Sequence, residues 1–192
     1  MTNILLVFYT SEGQTGKIAE RVAGVLRDLG DTVDVHDVAG APAPDAYDGV
    51  IVGDPIHAVH HSKALTHYLR DHVEVLNTRP SALFQVSLTS ANPDDEHTAT
   101  AQGLVHELLE RTGFDPDLVG LFAGALVYTQ YGWLKRRVMR AIVRREDGDT
   151  DMSRDYEYTD WQAVEQFARD VHTVFTAPPD PLADPLADSL AD

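Results

Sequence analysis

Apolar positions change period several times along the chain, and each change marks an element. Residues 3–9, NILLVFY, are apolar on both sides of a strand's pleat, the pattern of a strand buried on both faces of a parallel sheet. Over residues 15–29, Ile18, Val22, Val25, Leu26 and Leu29 fall at helical spacing, and Gly30 stands where a helix commonly closes. TVDVHDV (32–38) alternates as a sheet-edge strand does, APAPDAYD reads as a proline-rich turn, and GVIVG (49–53) is a second fully apolar strand. A helix over about 62–76 carries Leu65, Leu69, Val73 and Leu76 on one stripe, and SALFQVSL (81–88) is the next strand. ANPDDEH is a loop, a helix over about 98–112 presents Leu104, Val105, Leu108 and Leu109, and LVGLFAGAL (118–126) is a fifth strand. The pattern closes with a helix over 159–175, for which Thr159 and Gln162 have the spacing of a capping box.

Strands alternating with helices require crossover connections and a parallel sheet covered on both faces. The expected fold is α/β: a flavodoxin-like doubly wound five-stranded parallel sheet of order 2-1-3-4-5, with a long insertion after strand 5. Residues 1–176 are expected to form one domain, with the insertion and its basic helix at about 127–157. In residues 177–192 a Pro/Ser-Leu-Ala-Asp repeat of period four works against a regular helix, and we expect a disordered acidic tail. A doubly wound sheet binds its ligand beyond the carboxyl ends of the strands, where the winding reverses. The loops after strands one, three, four and five are therefore the ones to inspect.

Composition narrows the functional classes. The chain has 31 acidic against 15 Lys and Arg residues, for a formal net charge of −16. Self-repulsion of this size is tolerated best where salt screens it, and few lysines among many aspartates suggest adaptation to high salt. The same charge disfavours nonspecific nucleic-acid binding. With no cysteine there is neither a disulfide framework nor a thiolate nucleophile or metal site. No basic leader precedes the first strand, and no apolar run approaches the roughly 20 residues of a membrane-spanning helix. The expected location is cytoplasmic.

The loop between the first strand and first helix, YTSEGQTGK, fits neither familiar nucleotide signature. Ser11 and Ile18 occupy positions where a P-loop needs glycine and Ser/Thr, and Thr15 stands where G-x-G-x-x-G needs its second glycine. It nonetheless offers the hydroxyls of Thr10, Ser11 and Thr15, a glycine at 13 for close backbone approach, and the unpaired amides of a helix start. Such a cradle suits an anion without any lysine, and a phosphate monoester better than a metal–triphosphate. The competing reading is a helix cap that binds nothing.

YTSEGQTGKIA resembles the phosphate loop of flavodoxins, in which hydroxyls and amides hold the phosphate of FMN. VIVGDPIHAVHHSKAL (50–65), FAGALVYTQYGWLKRRVMRAIV (122–143) and YTDWQAVEQFARDV (158–171) extend the likeness. Over about residues 3–174 the chain resembles the flavodoxin-like, menaquinone-dependent protoporphyrinogen IX dehydrogenases. The resemblance implies an FMN enzyme that oxidises protoporphyrinogen IX to protoporphyrin IX and passes electrons to a membrane quinone. It implies that Thr10, Ser11, Glu12, Gly13, Gln14 and Thr15 hold the FMN phosphate; a carboxylate beside a phosphate is unfavourable, so the Glu12 side chain is expected to point to solvent with its amide toward the ligand. Asp54, Pro55, Ile56 and His57 would border the flavin ring, and Ser87, Leu88, Thr89, Gly124, Ala125 and Tyr128 would complete the pocket. At His57 and Ala58 the chain departs from the family's arginine and aromatic. A flavodoxin-type electron carrier or a quinone reductase with another substrate is the alternative.

His57, His60 and His61 crowd one loop without the spacing of a metal site. His60, matched in the family, is the candidate for a catalytic role, against three partly exposed imidazoles on an acidic surface with none; no metal is expected. The stretch WLKRRVMRAIVRR (133–145) holds six of the basic residues and no acid, with an apolar face of Leu134, Val138, Met139 and Ile142. Arg136, Arg137, Arg140 and Arg144 on such a helix suit an anionic membrane surface or the carboxylates of a substrate. Peripheral attachment to the inner face of the cell membrane is the corresponding expectation. A structural helix pairing its arginines with nearby aspartates is the alternative.

Overall fold

The computed structural model describes residues 1–88, 90, 95–126 and 155–178, with backbone alone at Asp95, Glu96 and Leu126. Thr89, Tyr128, Arg136, Arg137, Arg140 and Arg144 lie outside the described residues, as does the tail beyond Pro178. Five strands, β1 (Asn3–Phe8), β2 (Thr32–Asp37), β3 (Gly49–Pro55), β4 (Ser81–Ser87) and β5 (Leu118–Ala123), form one sheet in the order β2-β1-β3-β4-β5. All four pairings are parallel. Four helices, α1 (Gln14–Asp28), α2 (Lys63–Leu76), α3 (Asp95–Thr112) and α4 (Trp161–Thr176), supply the cover.

The apolar runs are continuous because each strand is buried twice. Ile4 and Leu6 of β1 face α1 and α4, against Ile18, Val22, Leu26, Val164 and Val171. Leu5 and Val7 face the other way, with Val50, Val52 and Leu83, under Leu65 and Leu69 of α2 and Leu108 of α3. β2, at the edge, alternates as expected, with Val33 buried between exposed Thr32 and Asp34. In the centre β3 has room only for glycine at position 53, where an added Cβ would stand 2.1 Å from Cζ of Phe84. That ring packs in turn on Phe122 and Phe167, at centroid distances of 6.0 and 6.2 Å.

Helix boundaries follow local chemistry. α1 closes where expected: Gly30 N–H donates to the Arg27 carbonyl and Asp31 N–H to that of Leu26. Ser62 caps α2 by accepting from Leu65 N–H, and α3 starts at Asp95, earlier than its apolar stripe. The capping box expected at Thr159 and Gln162 does not form. Asp160 caps α4 instead, accepting from the amides of Gln162 and Ala163, because the Thr159 hydroxyl is engaged elsewhere. The fifth strand is also shorter than its apolar run. β5 stops at Ala123, and Ala125–Leu126 (β6) leave the sheet to pair antiparallel with Tyr156–Glu157 (β7). This ribbon brackets the insertion at both ends.

Candidate functional site

The carboxyl ends of β1, β3, β4 and β5 meet on one side of the sheet, and the loops that leave them carry most of the residues singled out above. After β1, the chain turns at Gly13, whose φ of 89° lies in the left-handed region where a side chain would be strained. The first bond of α1 runs from Lys17 N–H to the Gly13 carbonyl at 3.1 Å, so helix geometry leaves the amides of Gln14, Thr15 and Gly16 without helical acceptors. The first turn contains no acidic residue. Thr10 Oγ1 accepts from Gly13 N–H at 2.9 Å, which folds the loop and leaves the hydroxyl proton to donate outward. Thr15 is buried, Glu12 is half-buried, and the side chain of Gln14 is claimed by Thr159. These donors fit a phosphate monoester in kind: neutral hydroxyls and amides at a helix start, with no carboxylate in the first turn.

β3 delivers the second wall. Asp54 is completely buried, and three donors converge on its carboxylate: His61 Nδ1 at 2.8 Å, Ser62 N–H at 2.9 Å and Ser62 Oγ at 2.6 Å. Its side chain therefore anchors the loop from below and hands it to the start of α2. Pro55 is the buried end of the strand, and Ile56 N–H donates to the Val86 carbonyl at 2.8 Å. Beyond it, His57 and His60 exchange both backbone hydrogen bonds at 3.0 Å around Ala58 and Val59. Those two residues have φ of 48° and 60°, a reversal that Asn-Gly usually fills. The exposed His57 ring reaches back across the cleft, its Nε2 hydrogen-bonding the Ser11 hydroxyl, so the two loops touch. His60 is exposed at the base of the reversal; the histidine that the structure fixes is His61, whose Nε2 also meets the Leu104 carbonyl at 3.2 Å.

From β4, Ser87 shares its hydroxyl with Ser90 at 2.9 Å, and its carbonyl accepts from Gly124 N–H at 3.1 Å, which draws the β4 and β5 ends together. Leu88 and Ala125 are half-buried beside this junction. A recess of about 290 Å³ opens at the strand ends, lined by Tyr9, His57, His60, His61, Ser62 and Lys63. A larger one of about 800 Å³ runs along α1 and α4 on the flank, with no strand residue in its lining. Sheet topology selects the smaller as part of the functional cleft. Among the described residues no group of three His, Asp or Glu could hold a metal ion, and no helix is long and apolar enough to cross a membrane.

Sequence reading missed two members of this constellation. Thr159 was assigned to a helix cap, and only the structure places it beside Gln14. Glu157 of β7 accepts from Trp161 Nε1 at 2.8 Å and pairs with Lys17 at 3.2 Å. Burial would raise its carboxyl, but hydrogen bonds from Trp161, Lys17 and Gln14 and the Lys17 charge outweigh that and hold it below the ordinary glutamate range. The lysine nearest the anion loop is thus committed to another partner.

Residues 5–153 match the flavodoxin domain family. The chain is 33% identical over 169 residues to the protoporphyrinogen IX dehydrogenase [quinone] of Escherichia coli K12, a match covering 87% of this chain and 93% of that one. It is 35% identical over 184 residues to the Leishmania major protein of the same name, across 93% of this chain and 79% of that one. In fold it resembles oxidised flavodoxin 1 of Bacillus cereus, with a TM-score of 0.54 at 18% identity over 88% of this chain and 96% of that one.

Proposed function

The chain belongs to the flavodoxin-like family of protoporphyrinogen IX dehydrogenases, and we propose that it is an FMN-dependent oxidoreductase converting protoporphyrinogen IX to protoporphyrin IX with a menaquinone-type acceptor. The observation that carries the proposal is the Gly13-turned loop, a cluster of neutral donors at the open end of a doubly wound sheet. Thr10 and Ser11 hydroxyls and the amides of Gln14 and Thr15 would take the phosphate, with Gly13, its N–H held by Thr10, shaping the turn and Glu12 contributing backbone only. Pro55, Ile56 and His57 would border the ring on the β3 side, and Asp54 would act beneath them by fixing the loop. Ser87, Leu88 and Thr89, with Gly124, Ala125 and Tyr128, would close the β4–β5 side.

Bound FMN would supply hydride-accepting chemistry, so the protein's task is binding, orientation and exclusion of water. No general acid or base is required of His60 by this scheme. Arg136, Arg137, Arg140 and Arg144 would meet the propionate carboxylates of the porphyrinogen or an anionic bilayer, which places the flavin edge near a lipid-dissolved quinone. Peripheral attachment to the inner face of the membrane follows from that role.

Purification at high salt, an absorbance spectrum and identification of the released chromophore test the cofactor. Folded protein that stays colourless in excess FMN refutes it. Anaerobic mixing with protoporphyrinogen IX and a menaquinone analogue should raise porphyrin fluorescence. A flavin-loaded protein that leaves fluorescence flat is instead a flavodoxin-type carrier or a quinone reductase for another substrate. Reversing the four arginine charges should weaken liposome binding or raise the porphyrinogen KM.

A further inference from the structure

A loop that grips an anion with neutral donors depends on where its backbone points, because no formal charge compensates for poor aim. Here the aim is set from the other end of the chain. Gln14, the first residue of α1, is buried, and its Nε2 donates to Thr159 Oγ1 at 2.8 Å across 145 positions of sequence. The same hydroxyl donates to the carbonyl of Ala123, the last residue of β5, at 2.7 Å. A single oxygen thus ties the start of α1 to the end of β5, using its acceptor and donor functions together. The neighbouring backbone is clamped as well, Tyr158 N–H donating to the Gly124 carbonyl at 3.1 Å.

We propose that Thr159 is a positioning residue for the anion loop: through Gln14 its hydroxyl orients the first-turn amides of α1 toward the cofactor phosphate. The inference rests on the reading of that loop as the FMN phosphate site. The local bond from Gly13 N–H to Thr10 Oγ1 fixes the turn itself but holds no amide of the first helical turn. Nor does Lys17 substitute for Thr159, being paired with Glu157. Valine at position 159 keeps the volume but removes the hydroxyl that Gln14 and the Ala123 carbonyl share, leaving the Gln14 amide only Glu157, whereas serine keeps both bonds.

The test uses the full chain as wild type, Thr159→Val and Thr159→Ser, titrated with FMN and with riboflavin, which lacks the phosphate, by flavin fluorescence. In the valine protein the FMN Kd should rise about tenfold while the riboflavin Kd stays unchanged, and serine should restore FMN affinity. Hydrogen exchange of the Gln14, Thr15 and Gly16 amides without flavin should be faster in the valine protein alone. Unchanged FMN affinity, equal weakening toward both flavins, or unchanged exchange overturns the inference. If wild type binds neither flavin, the cofactor reading falls and the exchange result alone decides this one. Should the valine protein not fold, Gln14→Met cuts the same bond from the α1 side, with the same expected outcomes.

Discussion

Asp54 stands where β3 leaves the sheet, and its buried carboxylate holds three donors from the next turn of chain. Asp54→Ala orphans them and should cost about 3 kcal/mol by urea unfolding, with Asp54→Asn losing less because an amide oxygen still accepts. Five residues on, strain runs the other way. Val59 is β-branched, left-handed and 61% exposed, so Val59→Gly gives up little packing and should raise the unfolding free energy by about 1 kcal/mol, read as a higher urea midpoint. At Gly53 a methyl would drive into a ring already wedged between two others, and Gly53→Ala should destabilise by about 2 kcal/mol in the same assay. How legible such positions are depends on whether their meaning is local. The hydroxyls and glycine of the anion loop advertise themselves because Thr10, Ser11, Gly13 and Thr15 fall within six consecutive positions. The division of labour among three clustered histidines does not: only the fold shows that His61 faces a buried carboxylate while His57 meets Ser11.

Elements were readable to the extent that one rule governed them. Double burial explains the uninterrupted β1, β3 and β4, and the 3.6-residue stripe explains α1 and α2. The errors fall where two rules competed for one residue. Apolar character continues past Ala123, but Gly124 and the ribbon β6–β7 redirect the chain; Thr159 looks like a cap, but Asp160 takes that role once the threonine is bound to Ala123. The clamp between β7 and α1 has a pH signature. Since the folded Glu157 carboxyl titrates below its ordinary value, the stabilisation is complete above that value and disappears as pH falls through the lower folded one. Glu157→Gln should therefore unfold at lower urea than wild type at neutral pH, with the two converging in acid. A gap that persists in fully acid solution would contradict this account of the clamp.

For the molecule as a whole, topology was the most legible property, because alternating strands and helices leave few ways to cover a parallel sheet. The net charge of −16 sets its response to solvent. Raising monovalent salt from about 0.1 to about 1 M shortens the screening length from about 10 to about 3 Å, so the melting temperature should rise over that interval. A flat or falling Tm would argue against a stability limited by self-repulsion. The pairing of Leu126 with Tyr156 carries a consequence for modularity. Partners in an antiparallel ladder stand only about 5 Å apart, so Leu126 and Tyr156 form one narrow doorway between the sheet and the intervening sequence. What lies between can be exchanged, shortened or swapped for a tight hairpin turn without asking the sheet to move, and a lineage could retune what this protein touches while leaving its five strands in register.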